Sequence, residues 1–180
     1  MNIIILGKPG SGKGTQAKML AKKCKLNHFS TGELFRKHLK ENTELGKKIK
    51  LFMNSPNLVP DEIVNEVVKQ EVENRNHDNI LFDGFPRTLN QAEFLDKILK
   101  KPIDHVALLE VSDRTAIKRI QKRQKLDPRT ESNTSEKIIE RITEFKRLTN
   151  PIIEKYKKEN KLKIINGESP IKEVSKKISI

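Results

Sequence analysis

Hydrophobic residues along this chain follow two patterns, short continuous runs and stripes with helical spacing. The stripes, for example Ala17, Leu20, Ala21 and Cys24, recur every three or four positions and predict helices. The short runs have the length and composition of buried strands and lie at 3–6, 28–29, 79–83, 105–111 and 162–165. Strands that alternate with helices predict a three-layer α/β fold, in which a five-stranded parallel sheet is flanked by helices.

Several helix boundaries are indicated by local signals. Ser30 followed by Glu33 is typical of a helix start. Pro151 interrupts a long helical pattern between 138 and 156, and we expect it to kink or break that helix. The pair Ser169-Pro170 predicts the start of a final helix, whose inward residues would be Ile171, Val174 and Ile178.

The segment GKPGSGKGT at 7–15 joins the first predicted strand to the first predicted helix. Its glycines allow successive backbone N–H groups to face a polyphosphate, and the helix adds the positive end of its dipole. Lys13 matches the lysine of the pattern G-x-x-x-x-G-K-[ST], which reaches the outer phosphates. Gly14 stands where that pattern has a hydroxyl residue, and Thr15 carries the hydroxyl one position later. The alternative is a plain glycine-rich turn with a solvated Lys13, but the flanking strand and helix favour a phosphate-binding loop.

Asp83 ends the predicted strand at 79–83, and the chain turns sharply after it. Ligands of parallel α/β sheets bind at the carboxyl ends of strands, so we expect Asp83 and the glycine-rich loop to share a cleft. There Asp83 would hold Mg²⁺, directly or through water, near Thr15; its alternative role is a capping or turn carboxylate. Phosphoryl transfer also needs positive charge. The candidate arginines are Arg36, Arg87, Arg119, Arg123, Arg129 and Arg141.

The length of 180 residues suits one well-packed domain. A formal net charge of +13 would suit nucleic acid or an anionic membrane, but the lysines are scattered over polar helical faces, so neither partner is expected. Cys24 is the only cysteine, which excludes an internal disulfide and a multi-cysteine zinc site. Because the apolar runs are too short for a membrane span or a signal peptide, we expect a cytoplasmic protein. We also expect it to be a monomer.

Taken together, these motifs resemble those of the adenylate kinases, and the resemblance extends over essentially the whole chain. In that family Gly14 is the expected residue of the loop. The segments that carry the resemblance are the loop with its ending Lys13–Thr15, the run Ser30–Arg36, the run Asp83–Thr88 with Gln91, and the pair Arg119 and Arg123. The resemblance implies reversible phosphoryl transfer from ATP to AMP, which gives two ADP and serves adenine nucleotide homeostasis. It also implies Mg²⁺ as the ion that accompanies ATP.

The resemblance further implies a core of 1–29, 60–123 and 135–180 with two mobile insertions, an AMP-binding insertion at 30–59 and a short lid without structural zinc at 124–134. The implied ATP contacts are Gly10, Ser11, Gly12, Lys13, Gly14, Thr15, Arg119, Arg123 and Gly167. The implied AMP contacts are Thr31, Arg36, Leu58, Val59, Gly84, Arg87, Gln91, Arg129 and Arg141. The implied catalytic residues are Lys13, Asp83, Arg87, Arg123, Arg129 and Arg141.

The lid departs from the family pattern in two ways. The spacing from Arg129 to Arg141 is one residue longer, and Glu131-Ser132 stands where an acidic pair is expected. Other interpretations are a UMP, CMP or broad-specificity nucleoside monophosphate kinase, and a P-loop switch or nucleic-acid-binding protein. Thr31 and Gln91 favour adenine over pyrimidines. A P-loop switch would be supported by the guanine-reading motif Asn-Lys-x-Asp, but the nearest match, at 160–163, fails at its last position.

Overall fold

The computed structural model describes residues 1–53, 58–126 and 134–178. Within these ranges the strands pair only in parallel, in the order β2-β3-β1-β4-β5. The predicted five-stranded parallel sheet is therefore confirmed. Its strands are β1 (Asn2–Leu6), β2 (Asn27–Ser30), β3 (Ile80–Asp83), β4 (Ile103–Glu110) and β5 (Leu162–Asn166).

Helices separate most of the strands and cover the sheet. Ser30 caps α2 as its sequence predicts, because its Oγ accepts a hydrogen bond from the Glu33 N–H at 3.4 Å. Thr88 caps α5 in the same way, accepting from the Gln91 N–H at 3.1 Å. The helices are α1 (Lys13–Cys24), α2 (Thr31–Lys40), α3 (Glu44–Met53), α4 (Asp61–Asn74), α5 (Leu89–Ile98), α6 (Asp113–Leu126), α7 (Ser135–Lys158) and α8 (Ile171–Lys177).

The core lies on both faces of the sheet, as β1 demonstrates. Successive side chains of a strand point to opposite faces, and every residue of β1 is buried. Ile3 and Ile5 belong to a cluster formed with α1 and α8, whereas Ile4 and Leu6 belong to a second cluster formed with α4, α5 and α7. A strand buried on both faces needs an unbroken apolar sequence, which explains why these runs do not alternate with polar residues.

Two predictions about helices need correction. Helix α7 is not broken at Pro151: it continues through this exposed residue, because Ile152 and Tyr156 on the core side of the helix are fully buried and their packing holds the helix in place. Ile171 does not face inward, since 57% of it is exposed, although Val174 and Ile178 are buried as predicted. Ile171 contributes its backbone instead: its carbonyl oxygen accepts a hydrogen bond from Gln16 Nε2 at 2.9 Å.

The order of the strands positions the segments that carry candidate chemistry. Strands β1 and β3 are neighbours, and Ile5 is paired with Asp83. The glycine-rich loop leaves the carboxyl end of β1, and Asp83 is the last residue of β3. The loop and the carboxylate therefore start from adjacent points on one edge of the sheet.

Helices α2 and α3 approach closely at Gly46, where a β-carbon would overlap the backbone carbonyl of His38. Gly46→Ala should lower the free energy of unfolding by at least about 1 kcal/mol, because overpacking typically costs 1–3 kcal/mol and outweighs the better helix propensity of alanine. Urea titration measures this change. The control is Leu51→Ala on the same helix, where the side chain is 79% exposed and the change should stay within about 0.5 kcal/mol. Equal stability of the two variants would contradict the expected clash.

Candidate active site

The glycine-rich loop ends at the start of α1 and presents backbone rather than side chains. Gly12 is the N-cap of α1 and adopts a left-handed conformation with φ 93°; no side chain caps the helix, and its first turn contains no acidic residue. At Gly10 a β-carbon would overlap the Ala116 carbonyl of α6, so the loop lies directly on that helix. An uncapped helix start beside a close-packed loop is a suitable site for an anion.

A cleft with a cavity of about 530 Å³ opens at the carboxyl edge of the sheet. It brings together residues that lie more than 130 positions apart in the sequence, and its size suits small-molecule ligands. The prediction that the loop and Asp83 share a cleft is confirmed. Of the residues predicted for the site, those that line it are Gly10, Lys13, Gly14, Thr15, Arg36, Leu58, Asp83, Gly84, Arg87, Arg123 and Arg141.

Positive charge is concentrated around Lys13. Loss of hydration is the main cause that lowers the Lys13 pKa to about 8, and the positive charges of Arg87, Arg141 and Arg123 lower it further, whereas Asp83 opposes the change. At pH 7 about nine-tenths of this amine remains charged. The cleft therefore holds several cations that repel one another, and a polyanion is the ligand that would relieve this repulsion.

Asp83 is the buried acidic group among the residues that line the cleft, and only 7% of it is exposed. Burial alone would raise its pKa, but the nearby His28 imidazole and the charges of Lys13 and Arg87 hold the pKa below its ordinary value. A β-carbon at Gly14 would lie 3.5 Å from Asp83 Oδ2, so the carboxylate directly faces the loop. An ionised carboxylate and the Thr15 hydroxyl, which line the same cleft, are oxygen ligands of the kind that Mg²⁺ prefers. Among the described residues, no three His, Cys, Asp or Glu side chains are grouped to hold a metal ion.

A second group of predicted residues lies on the other side of the loop. Arg119 on α6 donates from Nη1 to the Ser11 carbonyl at 3.2 Å and from Nη2 to the Gly167 carbonyl at 2.9 Å. Its guanidinium also lies beside Gly12, where a β-carbon would be 3.9 Å from Nη1. Arg119 and its partners Ser11, Gly12 and Gly167 are not among the residues that line the cavity around Lys13.

A third group lies beyond the end of β3 and is largely buried. Thr31 Oγ1 donates to the Gly84 carbonyl at 3.0 Å, and Arg87 Nε donates to the same oxygen at 2.8 Å. Gln91 accepts from the Arg87 backbone N–H at 2.7 Å and is only 1% exposed. Thr31 and Val59 are also buried. The side chains of Thr31, Val59 and Gln91 therefore lie behind the residues that line the cavity. Arg129 and most of the predicted lid lie outside the described residues.

The sequence interpretation missed several residues in the cleft or next to Asp83. His28 Nε2 lies 3.5 Å from Asp83 Oδ2, and the parallel register of β2 with β3, which no sequence signal gives, brings the two side chains together. Lys18 of α1 forms an ion pair with Glu33 of α2 at 2.6 Å across the cleft, and both residues line it. Helix α7 contributes further lining residues, including Thr149, which is buried although polar. In the described part of the chain, no helix has both the length and the apolar composition needed to span a membrane.

Comparison with known proteins gives a consistent result over nearly the whole chain. The family model described as adenylate kinase matches residues 5–161. An adenylate kinase of Flavobacterium psychrophilum is 41% identical over 183 residues, which cover 99% of this chain and 96% of the relative. An adenylate kinase of Thermobifida fusca is 39% identical over 181 residues, which cover 98% of this chain and 95% of the relative. One of Ruminiclostridium cellulolyticum is 36% identical over 208 residues, covering 99% and 97%.

The low pKa of Lys13 can be measured directly. In NMR titrations of the lysine amines, one signal should titrate near pH 8, and it should be missing from the Lys13→Met variant. Asp83→Asn should move this pKa still lower, because the negative charge of Asp83 raises it. Asp96→Asn is the control, since Asp96 pairs with Lys155 on another part of the molecule and should leave Lys13 unchanged. A Lys13 pKa near its ordinary 10.5, or a rise in the Asp83→Asn variant, would contradict the account.

Proposed function

Because this chain belongs to the adenylate kinase family, we propose that it transfers the terminal phosphoryl group of ATP to AMP in a reversible reaction that gives two ADP, and so balances the adenine nucleotides. The observation that carries this proposal is the cluster of Lys13, Arg87, Arg123 and Arg141 beside Asp83 in one cleft. Transfer between two anionic nucleotides brings negative charges together, and positive groups in a shielded site stabilise these charges.

ATP is bound by the loop and by the Arg119 side chain beside it. The backbone of 10–15 cradles the phosphates, and Lys13 reaches the outer phosphates from the start of α1. The adenine of ATP lies against Arg119, whose guanidinium is held by the carbonyls of Ser11 and Gly167. A planar cation fixed by two hydrogen bonds offers a flat surface for a base.

AMP is bound on the opposite side of the cleft. Arg36 and Arg87 line the cavity there and bind the monophosphate with their bidentate geometry. Leu58, Val59 and Gly84 contact the nucleoside, while Thr31 and Gln91 hydrogen-bond its base. Because Thr31 and Gln91 are buried in this conformation, AMP reaches them when the insertion at 30–59 moves.

Mg²⁺ accompanies ATP in this proposal. Asp83 and Thr15 fit it, since the ionised carboxylate and the exposed hydroxyl line the same cleft. Mg²⁺ usually keeps several waters beside the substrate phosphates, so both side chains would hold it through water. When bound, Mg²⁺ neutralises phosphate charge and orients the transferring group.

The protein's own groups orient the reactants and exclude water. Lys13, with Arg87, Arg123 and Arg141, gathers the phosphoryl group between the two nucleotides, and Arg129 joins them from the lid. Closure of 30–59 and 124–134 over the cleft keeps water from taking the phosphoryl group. We further propose that the protein acts as a monomer.

A panel of acceptors with ATP and Mg²⁺ tests the proposal. AMP should exceed UMP and CMP in kcat/KM by at least about a hundredfold, because a pyrimidine leaves buried polar groups unpaired at about 1–3 kcal/mol each. Thr31→Val keeps the shape of the side chain and removes its hydroxyl, so it should reduce this preference and leave the KM for ATP nearly unchanged.

The matched control for Thr31→Val is Thr143→Val, at an exposed position on α7. It should leave both the acceptor preference and the turnover at the level of the unmodified protein. Equal efficiency of the unmodified protein with UMP or CMP would favour the pyrimidine-specific or broad-specificity kinases instead.

A further inference from the structure

The Asp61 carboxylate joins the first turns of two helices. Asp61 is the first residue of α4, and its Oδ2 accepts a hydrogen bond from the Thr88 hydroxyl, the N-cap of α5, at 2.8 Å. Its Oδ1 accepts a hydrogen bond from Gln91 Nε2 at 2.7 Å. One half-buried acid thus holds both the cap of α5 and the side-chain amide of Gln91.

The two partners of the Gln91 amide allow only one orientation of it. Gln91 Nε2 donates to Asp61, and Gln91 Oε1 accepts from the Arg87 backbone N–H at 2.7 Å. A carboxylate can only accept and a backbone N–H can only donate. A reversed amide would set oxygen against oxygen at Asp61 and N–H against N–H at Arg87. Because Gln91 is only 1% exposed, water cannot compensate such a mismatch.

The fixed amide has a defined polarity toward a base. An amide has two N–H donors and two acceptor lone pairs, and the bonds to Asp61 and Arg87 use one of each. One donor, on Nε2, and one acceptor, on Oε1, remain at known positions. Adenine presents an acceptor at N1 and a donor at N6, whereas the hypoxanthine of IMP presents the opposite pair, a donor at N1 and an acceptor at O6. A freely rotating amide would match either purine, but a fixed amide matches one.

We propose that Asp61 is a positioning residue that determines purine selectivity: it fixes the Gln91 amide in the orientation that pairs with adenine and rejects a 6-oxopurine monophosphate. The inference rests on the proposed function, since it takes Gln91 as the residue that reads the base of the acceptor. Asp61 acts through Gln91 and does not touch the substrate. A purely structural Asp61, which would only tie α4 to α5, would affect stability and leave selectivity unchanged.

Asp61→Asn tests this role with little change in shape. An asparagine can turn either its oxygen or its NH₂ group toward Gln91, so the bond can survive while the preference for one amide orientation is lost from that side. The ratio of kcat/KM for AMP to kcat/KM for IMP should fall about tenfold. The reason is that only one of the two mismatches that oppose reversal of the Gln91 amide, the one at the Arg87 N–H, would remain. The KM for ATP should not change.

Glu62→Gln is the matched control, because it makes the same chemical change at the exposed next residue of the same helix turn. It should leave the ratio of AMP to IMP within about twofold of the unmodified protein. Asp61→Ala is a second variant that removes the carboxylate altogether, and its ratio should also fall. Thermal unfolding of all three variants separates changes in stability from changes in selectivity.

A ratio that stays within twofold in both Asp61 variants would overturn the inference, whatever their stability. Failure of the proposed function gives a different result: the unmodified protein would then not phosphorylate AMP at all. An unmodified protein that uses AMP and rejects IMP, with Asp61 variants that keep the full preference, would leave the proposed function standing and refute the role of Asp61.

Discussion

Repulsion among like charges is the constraint on which the site depends. Lys13 lies close enough to Arg87, Arg123 and Arg141 for each of them to lower its pKa, and Asp83 is the acid whose charge opposes this effect. Such a cluster costs free energy in the folded protein and is retained where an anionic ligand offsets the cost. Two nucleotides bring the negative charge that this cleft lacks.

The fold can hold the repelling groups because each comes from a separate, well-packed element. Lys13 starts α1, Arg87 follows β3, Arg123 lies on α6 and Arg141 on α7. Bonds between elements stabilise this arrangement. Lys8 of the loop and Lys146 of α7 both form ion pairs with the Asp113 carboxylate of α6, and the distance from Lys146 Nζ to Asp113 Oδ2 is 2.7 Å. Arg119 links the loop to Gly167.

The sequence predicts the sheet and the centre of the site well because both follow from local patterns. Runs of buried residues specify the strands, and the parallel order brings the carboxyl ends of β1 and β3 together, so Lys13 and Asp83 could be expected in one cleft. Contacts that depend on packing could not be predicted. The bond between Asp61 and Gln91 joins residues 30 positions apart on two helices, and no spacing rule indicates it. The persistence of α7 at Pro151 likewise depends on tertiary packing, which overrides the local preference of proline.

Turnover of the Lys13→Ala variant tests the central claim most directly. If Lys13 neutralises charge on the transferring phosphoryl group, the rate of ADP formation from ATP and AMP should fall by at least about a hundredfold, the loss of a few kcal/mol of electrostatic stabilisation. Circular dichroism should be unchanged, because the side chain lies in the cleft rather than in the core. The melting temperature should not fall, because the variant loses a buried cation that its arginine neighbours repel. A folded variant with near-normal turnover would contradict the account.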